Sequence, residues 1–371
     1  MDSDELLEEY APGDFFFATH VRTILGSGSV QAFTDTDVVS LSGEVSAALA
    51  GAPQSLAVGV LPFDTAATPG HLVLPERVRV AGATVSPGRK PVPAPVSVRA
   101  VPEPVRHAEA VARAVKILRE RGMRKVVLAR ALDVAFDSPV PAQAILNNLV
   151  IDKAGGYTFA AGLPSGRSLL GATPELLLSR FGGHVVSYPH AGSAPRSADP
   201  VTDRENAAAL ATSRKDHLEH DVLAEAVVET LRPFCRRLEV PREPSLVSTP
   251  TMWHLGTKIS GELVDRDVTA LRLAAALHPT PAICGSPTDE ARRLVGELEP
   301  FDRGYYAGTV GWMDARGDGE WAVSIRCAEV DTRALRLYAG GGIVPASDPK
   351  AELDETSAKF QTLLHAMGLE L

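Results

Sequence analysis

Short apolar runs divided by turn-forming residues fill the first hundred positions, and this pattern favours strands over helices. The runs at 14–19 and 55–63 are each long enough for one strand. Prolines then crowd residues 87–104, where each one fixes φ and removes a backbone donor. We expect this stretch to be an exposed connector, neither a central strand nor a helix, that closes a variable amino-terminal part, residues 1–104.

Helical and strand-like patterns alternate through residues 105–371. A helical pattern covers 106–122, with Gly122 as its stop, and an apolar strand pattern covers 125–133. Helices interspersed with mostly antiparallel strands, two of which are joined by a turn at 314–319, predict a mixed α/β or α+β fold. The other predicted strands are 157–162, 168–171, 308–312, 321–330 and 334–339, and the other predicted helices are 203–232, 269–277, 288–298 and 348–367.

Composition and charge restrict the classes of function. The chain has 371 residues, of which 45% are hydrophobic and 22% charged, close to an ordinary globular protein of two or three domains. Its net charge of −9 argues against sequence-independent binding to nucleic acid or to an anionic membrane. No run approaches 18 apolar residues, the amino terminus is acidic where a signal peptide is basic, and the cysteines are few and dispersed. We therefore expect a cytoplasmic protein.

Two acidic clusters are candidates for a cation site. Glu352 and Glu355 lie three residues apart on a helix that Asp348 would cap, so they share one face. They can form a solvated acidic face or hold a hard cation such as Mg²⁺. Asp216 and Glu219 belong to a second cluster, which by itself is typical of a salt-bridged surface.

Three further charged residues stand among apolar neighbours. Lys125 opens the segment KVVLAR, either as a strand-end charge in solvent or as a buried amine that can act as a base. Glu175, in TPELLL, can belong to a helix cap, or can be kept protonated by its apolar setting and act as a general acid. Arg326, in VSIRC, is typical of an arginine that pairs with a carboxylate or phosphate.

The order of these segments resembles the chorismate-utilising enzymes, which include anthranilate synthase large subunits, aminodeoxychorismate synthases, isochorismate synthases and salicylate synthases. The resemblance covers about residue 105 to the end, and the first hundred residues match only loosely. It is carried by KVVLAR, GATPELLLSR, HAGSAPR, SRKDHLEHD, TPTMWHLGTKISG, LHPTPAICG, ELEPFDRGYYAGTVGW, WAVSIRCAEV and AGGGIVPASDPKAELDET.

The resemblance implies both a fold and a site. The fold would be two antiparallel sheets packed face to face and flanked by helices, with a catalytic region at 105–371 that binds chorismate between the sheets. Mg²⁺ would bridge the ring carboxylate of the substrate, held by Glu219, Glu352 and Glu355, with Asp216 acting directly or through water. The implied substrate-binding residues are Arg326, Tyr306, an N–H nest at Gly340, Gly341 and Gly342, His254 and Thr280 beside the ring, and Ala191 and Gly192.

The reaction that the resemblance implies is the conversion of chorismate to isochorismate. Isochorismate and salicylate synthases are similar to this chain in the lysine of KVVLAR. Lys125 would then deprotonate water for attack at C2, while Glu175 protonates the departing C4 hydroxyl. The resemblance is closest to siderophore-type isochorismate synthases, and no obligatory protein partner is implied, so we expect a monomer.

Three alternatives remain. A salicylate synthase, which also eliminates pyruvate, is the first, because Tyr306 also occurs in salicylate-forming relatives. An ammonia-using anthranilate or aminodeoxychorismate synthase subunit fits less well, because the stretch at 190–193 lacks the nucleophilic lysine of the latter. A protein that binds chorismate without turnover would not need both Lys125 and Glu175.

Overall fold

The computed structural model describes residues 3–52, 54–84, 88–152 and 156–369. The strands are β1 Phe15–Ala18, β2 Thr23–Ser27, β3 Gln31–Asp35, β4 Leu56–Leu61, β5 Gly70–Leu74, β6 Arg77–Ala81, β7 Ser97–Val101, β8 Lys125–Ala135, β9 Tyr157–Gly162, β10 Ser168–Thr173, β11 Leu176–Phe181, β12 His184–Tyr188, β13 His190–Pro195, β14 Cys235–Glu239, β15 Ser245–Ser248, β16 Met252–Gly256, β17 Ile259–Leu263, β18 Gly285–Ser286, β19 Thr309–Asp314, β20 Gly319–Val323, β21 Cys327–Val330 and β22 Ala334–Ile343. The helices are α1 Ser3–Glu9, α2 Val38–Gly51, α3 Pro104–Arg121, α4 Ala142–Asp152, α5 Pro200–Thr212, α6 Arg214–Leu231, α7 Ala270–Leu277, α8 Thr288–Leu298 and α9 Pro349–Ala366.

Two large antiparallel sheets make up most of the molecule. One runs in the order β18-β8-β22-β21-β10-β9-β1-β2-β6, with β7 also paired to β8, and the other runs β14-β17-β12-β11-β20-β19-β4-β5-β3. A third sheet, β13-β16-β15, was not predicted. Strands from before and after residue 104 share both large sheets, since β1 pairs with β9 and β4 with β19.

The hydrophobic core lies between the two large sheets. One apolar cluster contains Phe17 and Phe159 from the first sheet and Val58 and Trp321 from the second, all fully buried. A second cluster packs α1, α4 and α9 against the outer face of the ten-stranded sheet. The expected α+β fold of two packed antiparallel sheets flanked by helices is confirmed.

None of the helices in the described ranges has the length and apolar character that a bilayer crossing requires.

The predicted strand at 321–330 is wrong as a single element. β20 ends at Val323 in the nine-stranded sheet, and β21 begins at Cys327 in the ten-stranded sheet. At the crossing, Arg326 has φ 51°, a left-handed conformation that is unusual for a residue other than glycine. Stacked sheets lie about 10 Å apart, so the chain cannot move from one to the other in extended conformation. This crossing places Arg326 between the sheets.

The predicted helix at 203–232 is interrupted at Ser213. This residue has ψ 109° and accepts a hydrogen bond from the Asp216 N–H, so it caps a new helix, α6. Helical periodicity continues across the cap, which is why the pattern suggests one helix. The first two turns of α6 carry Lys215, Asp216 and Glu219.

The proline-rich stretch is only partly a connector. Pro87 lies outside the described residues, but Ser97–Val101 forms β7, an edge strand paired with β8. The prediction is wrong for these five residues because no proline occurs between 96 and 101, so their N–H groups are free to pair. The other predicted helices and strands are present, with ends shifted by at most four residues.

Candidate active site

A cavity of about 660 Å³ opens where β22, β13, α6 and α9 meet. Four of the predicted site residues, Lys125, Asp216, Gly341 and Glu352, do not line the cavity, and Thr280 lines a different one with Pro279 and Pro281. The structure therefore brings together most of the predicted site and leaves Thr280 apart. The predicted residues that line it are Glu175, Ala191, Gly192, Glu219, His254, Tyr306, Arg326, Gly340, Gly342 and Glu355.

Lys125 is the first residue of β8 and is completely buried. Its Nζ lies 2.9 Å from Oε1 of Glu219, which lines the cavity. The contact is ionic and lacks hydrogen-bond geometry, so Nζ has no hydrogen-bond partner. The interpretation of Lys125 as a strand-end charge in solvent is therefore wrong, and its side chain lies beside Glu219 and Gly342, which line the cavity.

Glu175 follows β10 and precedes β11, so it is not part of a helix cap. Its side chain is buried, and burial raises the pKa of the carboxyl to about 7. The His190 backbone N–H and the charge of Lys125 lower the pKa, but by less than burial raises it. A carboxyl with a pKa near 7 is protonated in a useful fraction at neutral pH and can donate a proton.

Arg326 brings a positive charge into the cavity. Burial lowers the pKa of its guanidinium to about 10, although the Glu355 carboxylate raises it. In the part of the chain that the structure describes, no carboxylate or other acceptor binds the guanidinium. A buried cation without a partner is costly unless it meets an anion, so Arg326 is suited to a carboxylate ligand.

The glycine run at 340–342 is not an N–H nest. Gly340, Gly341 and Gly342 are regular strand residues that pair with Ala129, Leu128 and Val127 of β8. Successive N–H groups of a strand point in opposite directions, so they cannot converge on one anion. The glycines provide space instead: a Cβ would lie 2.7 Å from the Tyr306 hydroxyl at Gly340 and 2.1 Å from Glu219 Oε1 at Gly342.

The predicted metal ligands lie near one another, but lysines neutralise them. Among the described residues, no three His, Cys, Asp or Glu side chains converge closely enough to hold a metal ion. Glu352 contacts Lys215 at 2.8 Å, and Glu355 contacts Lys359 at 2.6 Å. Asp216 accepts a hydrogen bond from its helix cap, Ser213.

The carboxylate oxygens at this site are nevertheless the type of ligand that suits Mg²⁺. The Oε2 atom of Glu352 is buried without a partner in hydrogen-bond geometry, and the Ser347 hydroxyl interacts with this carboxyl. Burial and the neighbouring Glu355 raise the pKa of Glu352, whereas Lys359 and Lys215 hold the pKa of Glu355 below its usual value although burial opposes them. Paired carboxylate oxygens with unused lone pairs are the ligands that Mg²⁺ prefers.

Several cavity residues were missed from the sequence. Lys359 donates to Gly340 O at 2.9 Å, and Ser193 donates to Glu355 at 2.8 Å. His190 stacks on His254 with ring centroids 6.0 Å apart, and burial lowers the pKa of both rings, that of His190 to about 3. Lys359 lies one helical turn after Glu355, a spacing that could have identified it.

Known proteins provide an independent comparison. The family model described as chorismate binding enzyme matches residues 77–368. The isochorismate synthase DhbC of Bacillus subtilis is 47% identical, with 99% of this chain and 97% of the relative covered, and the isochorismate synthase EntC of Escherichia coli K12 is 38% identical, with 97% and 96% covered. The crystal structure of DhbC from Bacillus anthracis superposes with a TM-score of 0.95 at 43% identity, covering 99% of this chain and 100% of the other.

A structure of much lower sequence identity has the same fold. Anthranilate synthase component I of Streptococcus pneumoniae superposes with a TM-score of 0.75 at 19% identity, which is a likeness of fold alone. The comparisons confirm the predicted resemblance and the prediction of an isochorismate synthase type of enzyme. This chain belongs to the family of chorismate-binding enzymes.

Proposed function

We propose that this chain is an isochorismate synthase, which converts chorismate to isochorismate by water attack at C2 and loss of the C4 hydroxyl. The observation that carries the proposal is a buried carboxyl, Glu175, with a pKa of about 7, in the same site as the buried amine of Lys125. A reaction that removes a proton from water and gives one to a leaving hydroxyl needs one group of each kind.

The proton transfers balance over one turnover. Lys125, which is paired with Glu219 in the structure, must first give up its proton; its amine then takes a proton from the attacking water, and Glu175 gives a proton to the C4 oxygen, which leaves as water. Lys125 then holds the proton taken from the attacking water and Glu175 lacks the proton that left with the C4 oxygen, so exchange with solvent must return both groups to their starting states. The reverse reaction uses the same two groups with exchanged roles.

The substrate is a dicarboxylate, and the cavity offers cations for it. Arg326, without an anionic partner, would bind the carboxylate of the pyruvyl side chain, with the hydroxyl of Tyr306 beside it. His254, which burial keeps neutral, would lie beside the ring, together with Ala191 and Gly192.

We propose Mg²⁺ as the cofactor, held by Glu219, Glu352 and Glu355, with Asp216 acting through water. Bound Mg²⁺ would supply positive charge to the ring carboxylate. The resemblance to the chorismate-utilising enzymes of this family implies this ion, and the Glu352 oxygen without a hydrogen-bond partner supports the proposal.

Incubation of the purified protein with chorismate and Mg²⁺, followed by separation of the products, tests this proposal. We expect isochorismate in equilibrium with chorismate. A coupled lactate dehydrogenase assay measures pyruvate directly, and stoichiometric pyruvate would identify a salicylate synthase instead. Tyr306, buried against Gly340, is the residue that favours that second candidate.

The setting of the enzyme is also a proposal. The relatives include the vibriobactin-specific isochorismate synthase of Vibrio cholerae, so we place this chain in the supply of a siderophore or a related secondary metabolite. Its three cysteines carry free thiols, which suits the reducing cytoplasm. A monomer is proposed because one chain contributes both proton-transfer groups.

A further inference from the structure

Each glutamate assigned to the metal contacts a different lysine. Three carboxylates in one site repel one another strongly unless positive charge separates them, and here three ammonium groups provide it. The pairs are Lys125–Glu219 at 2.9 Å, Lys215–Glu352 at 2.8 Å and Lys359–Glu355 at 2.6 Å.

The three lysines differ in how firmly they are held. The side chain of Lys125 is 0% exposed, and that of Lys359 is 14% exposed and also donates to Gly340 O. The side chain of Lys215 is 29% exposed, and Glu352 is its one hydrogen-bond acceptor among the described residues. A flexible four-carbon stem allows its ammonium to reach water without movement of α6.

Lys215 also interacts with all three carboxylates. Besides its 2.8 Å contact with Glu352, its ammonium is close enough to Glu355 and Glu219 for charge–charge attraction. Lys215 and Glu219 lie four residues apart on α6, so they share one face of the helix. The most exposed of the three ammonium groups therefore lies within the cluster of carboxylates that would surround a metal.

We propose that Lys215 is a tethered counter-ion that neutralises the carboxylate cluster in the metal-free protein and is displaced into solvent when Mg²⁺ binds. This inference rests on the proposed metal role of Glu352 and Glu355. Lys215 is a positioning residue: it keeps the carboxylates close together before the metal arrives and competes with the metal for Glu352. Its charge therefore sets the affinity for the ion.

Calorimetric titration with MgCl₂, in the absence of substrate, tests the competition. Lys215→Met keeps the stem and removes the charge, so we expect Mg²⁺ to bind about tenfold more tightly, the factor that 1.4 kcal/mol represents. Lys215→Arg keeps the charge and should bind Mg²⁺ no more tightly than the parent. Lys116→Met is the matched control, since Lys116 is 76% exposed and pairs with Glu120 on α3, so it makes the same change of net charge outside the carboxylate cluster.

Melting temperatures provide a readout that does not depend on calorimetric heat. In chelator, Lys215→Met should melt below the parent because its carboxylates repel one another, and Mg²⁺ should raise its melting temperature more than it raises that of the parent. Equal or weaker Mg²⁺ affinity in Lys215→Met than in the parent would overturn this inference alone. A parent that binds no Mg²⁺, even with chorismate present, would overturn both this inference and the proposed cofactor, whereas the product assay would still test the reaction.

Discussion

The buried carboxyl of Glu175 makes the free energy of unfolding depend on pH. Its pKa is raised from 4.5 to about 7 by burial, so the folded protein binds this proton more tightly than the unfolded chain does. The contribution of Glu175 to the free energy of unfolding is fully present below pH 4.5 and is lost as the pH rises through 7. The loss is about 3 kcal/mol. We expect Glu175→Gln to melt above the parent at pH 8, with the difference shrinking towards pH 5. Equal melting temperatures at both pH values would show that this carboxyl is not protonated in the folded state.

Lys125 and Glu175 are expected to share the proton transfers. General acid and base groups typically contribute about 10²–10⁴-fold each, so Lys125→Ala and Glu175→Gln should each lose most of kcat in both reaction directions. Circular dichroism and melting curves check that both variants fold. A folded Lys125→Ala protein that turns over chorismate within about threefold of the parent would exclude this lysine as the base.

At the scale of single elements, the glycines of β22 leave the space that neighbouring side chains of the site occupy. Gly342→Ala would place a Cβ 2.1 Å from Glu219 Oε1 and 2.7 Å from Lys125 Cε, so both side chains must move. We expect a loss of kcat of about 100-fold or more, because small displacements of catalytic groups are costly. Gly296→Ala on α8 is the matched control, since a Cβ there meets nothing within 4 Å, and it should retain activity. Full activity in Gly342→Ala would contradict the assigned geometry.

Local elements could be predicted from the sequence better than their assembly. The helices at 288–298 and 348–367 follow from caps and periodicity, which are local properties. The split of 321–330 between two sheets, and the small sheet of β13, β15 and β16, depend on contacts between distant segments that a hydrophobic pattern does not encode. The strand structure of Gly340–Gly342 was missed for the same reason, because its pairing with β8 is a long-range contact.

For the site residues too, local properties could be predicted from the sequence and long-range contacts could not. Apolar neighbours in the chain made burial one of two interpretations for Lys125, and an apolar setting one of two for Glu175. The pairing of Lys125 with Glu219 and of Lys215 with Glu352 could not be inferred, since these side chains meet only after α6, α9 and β8 pack together. Thr280 was placed by resemblance alone, and the structure puts it in another cavity.

The whole molecule is acidic, with a net charge of −9, yet it must bind a dicarboxylate. A metal in the cleft would resolve this conflict, so we expect no turnover in EDTA and full recovery when Mg²⁺ is added. Glu355→Gln keeps the shape of the side chain and removes its charge, so the Mg²⁺ concentration for half-maximal activity should rise about tenfold or more. Undiminished turnover in chelator, with metal content measured as zero, would exclude the cofactor.

Water attack at C2 is the central claim, and isotope labelling tests it most directly. The protein is mixed with chorismate and Mg²⁺ in H₂¹⁸O, the reaction is stopped well before equilibrium, and the product is analysed by mass spectrometry. We expect isochorismate that carries one ¹⁸O atom in its new hydroxyl group, with no pyruvate released. Unlabelled isochorismate, or salicylate with an equal amount of pyruvate, would contradict the claim.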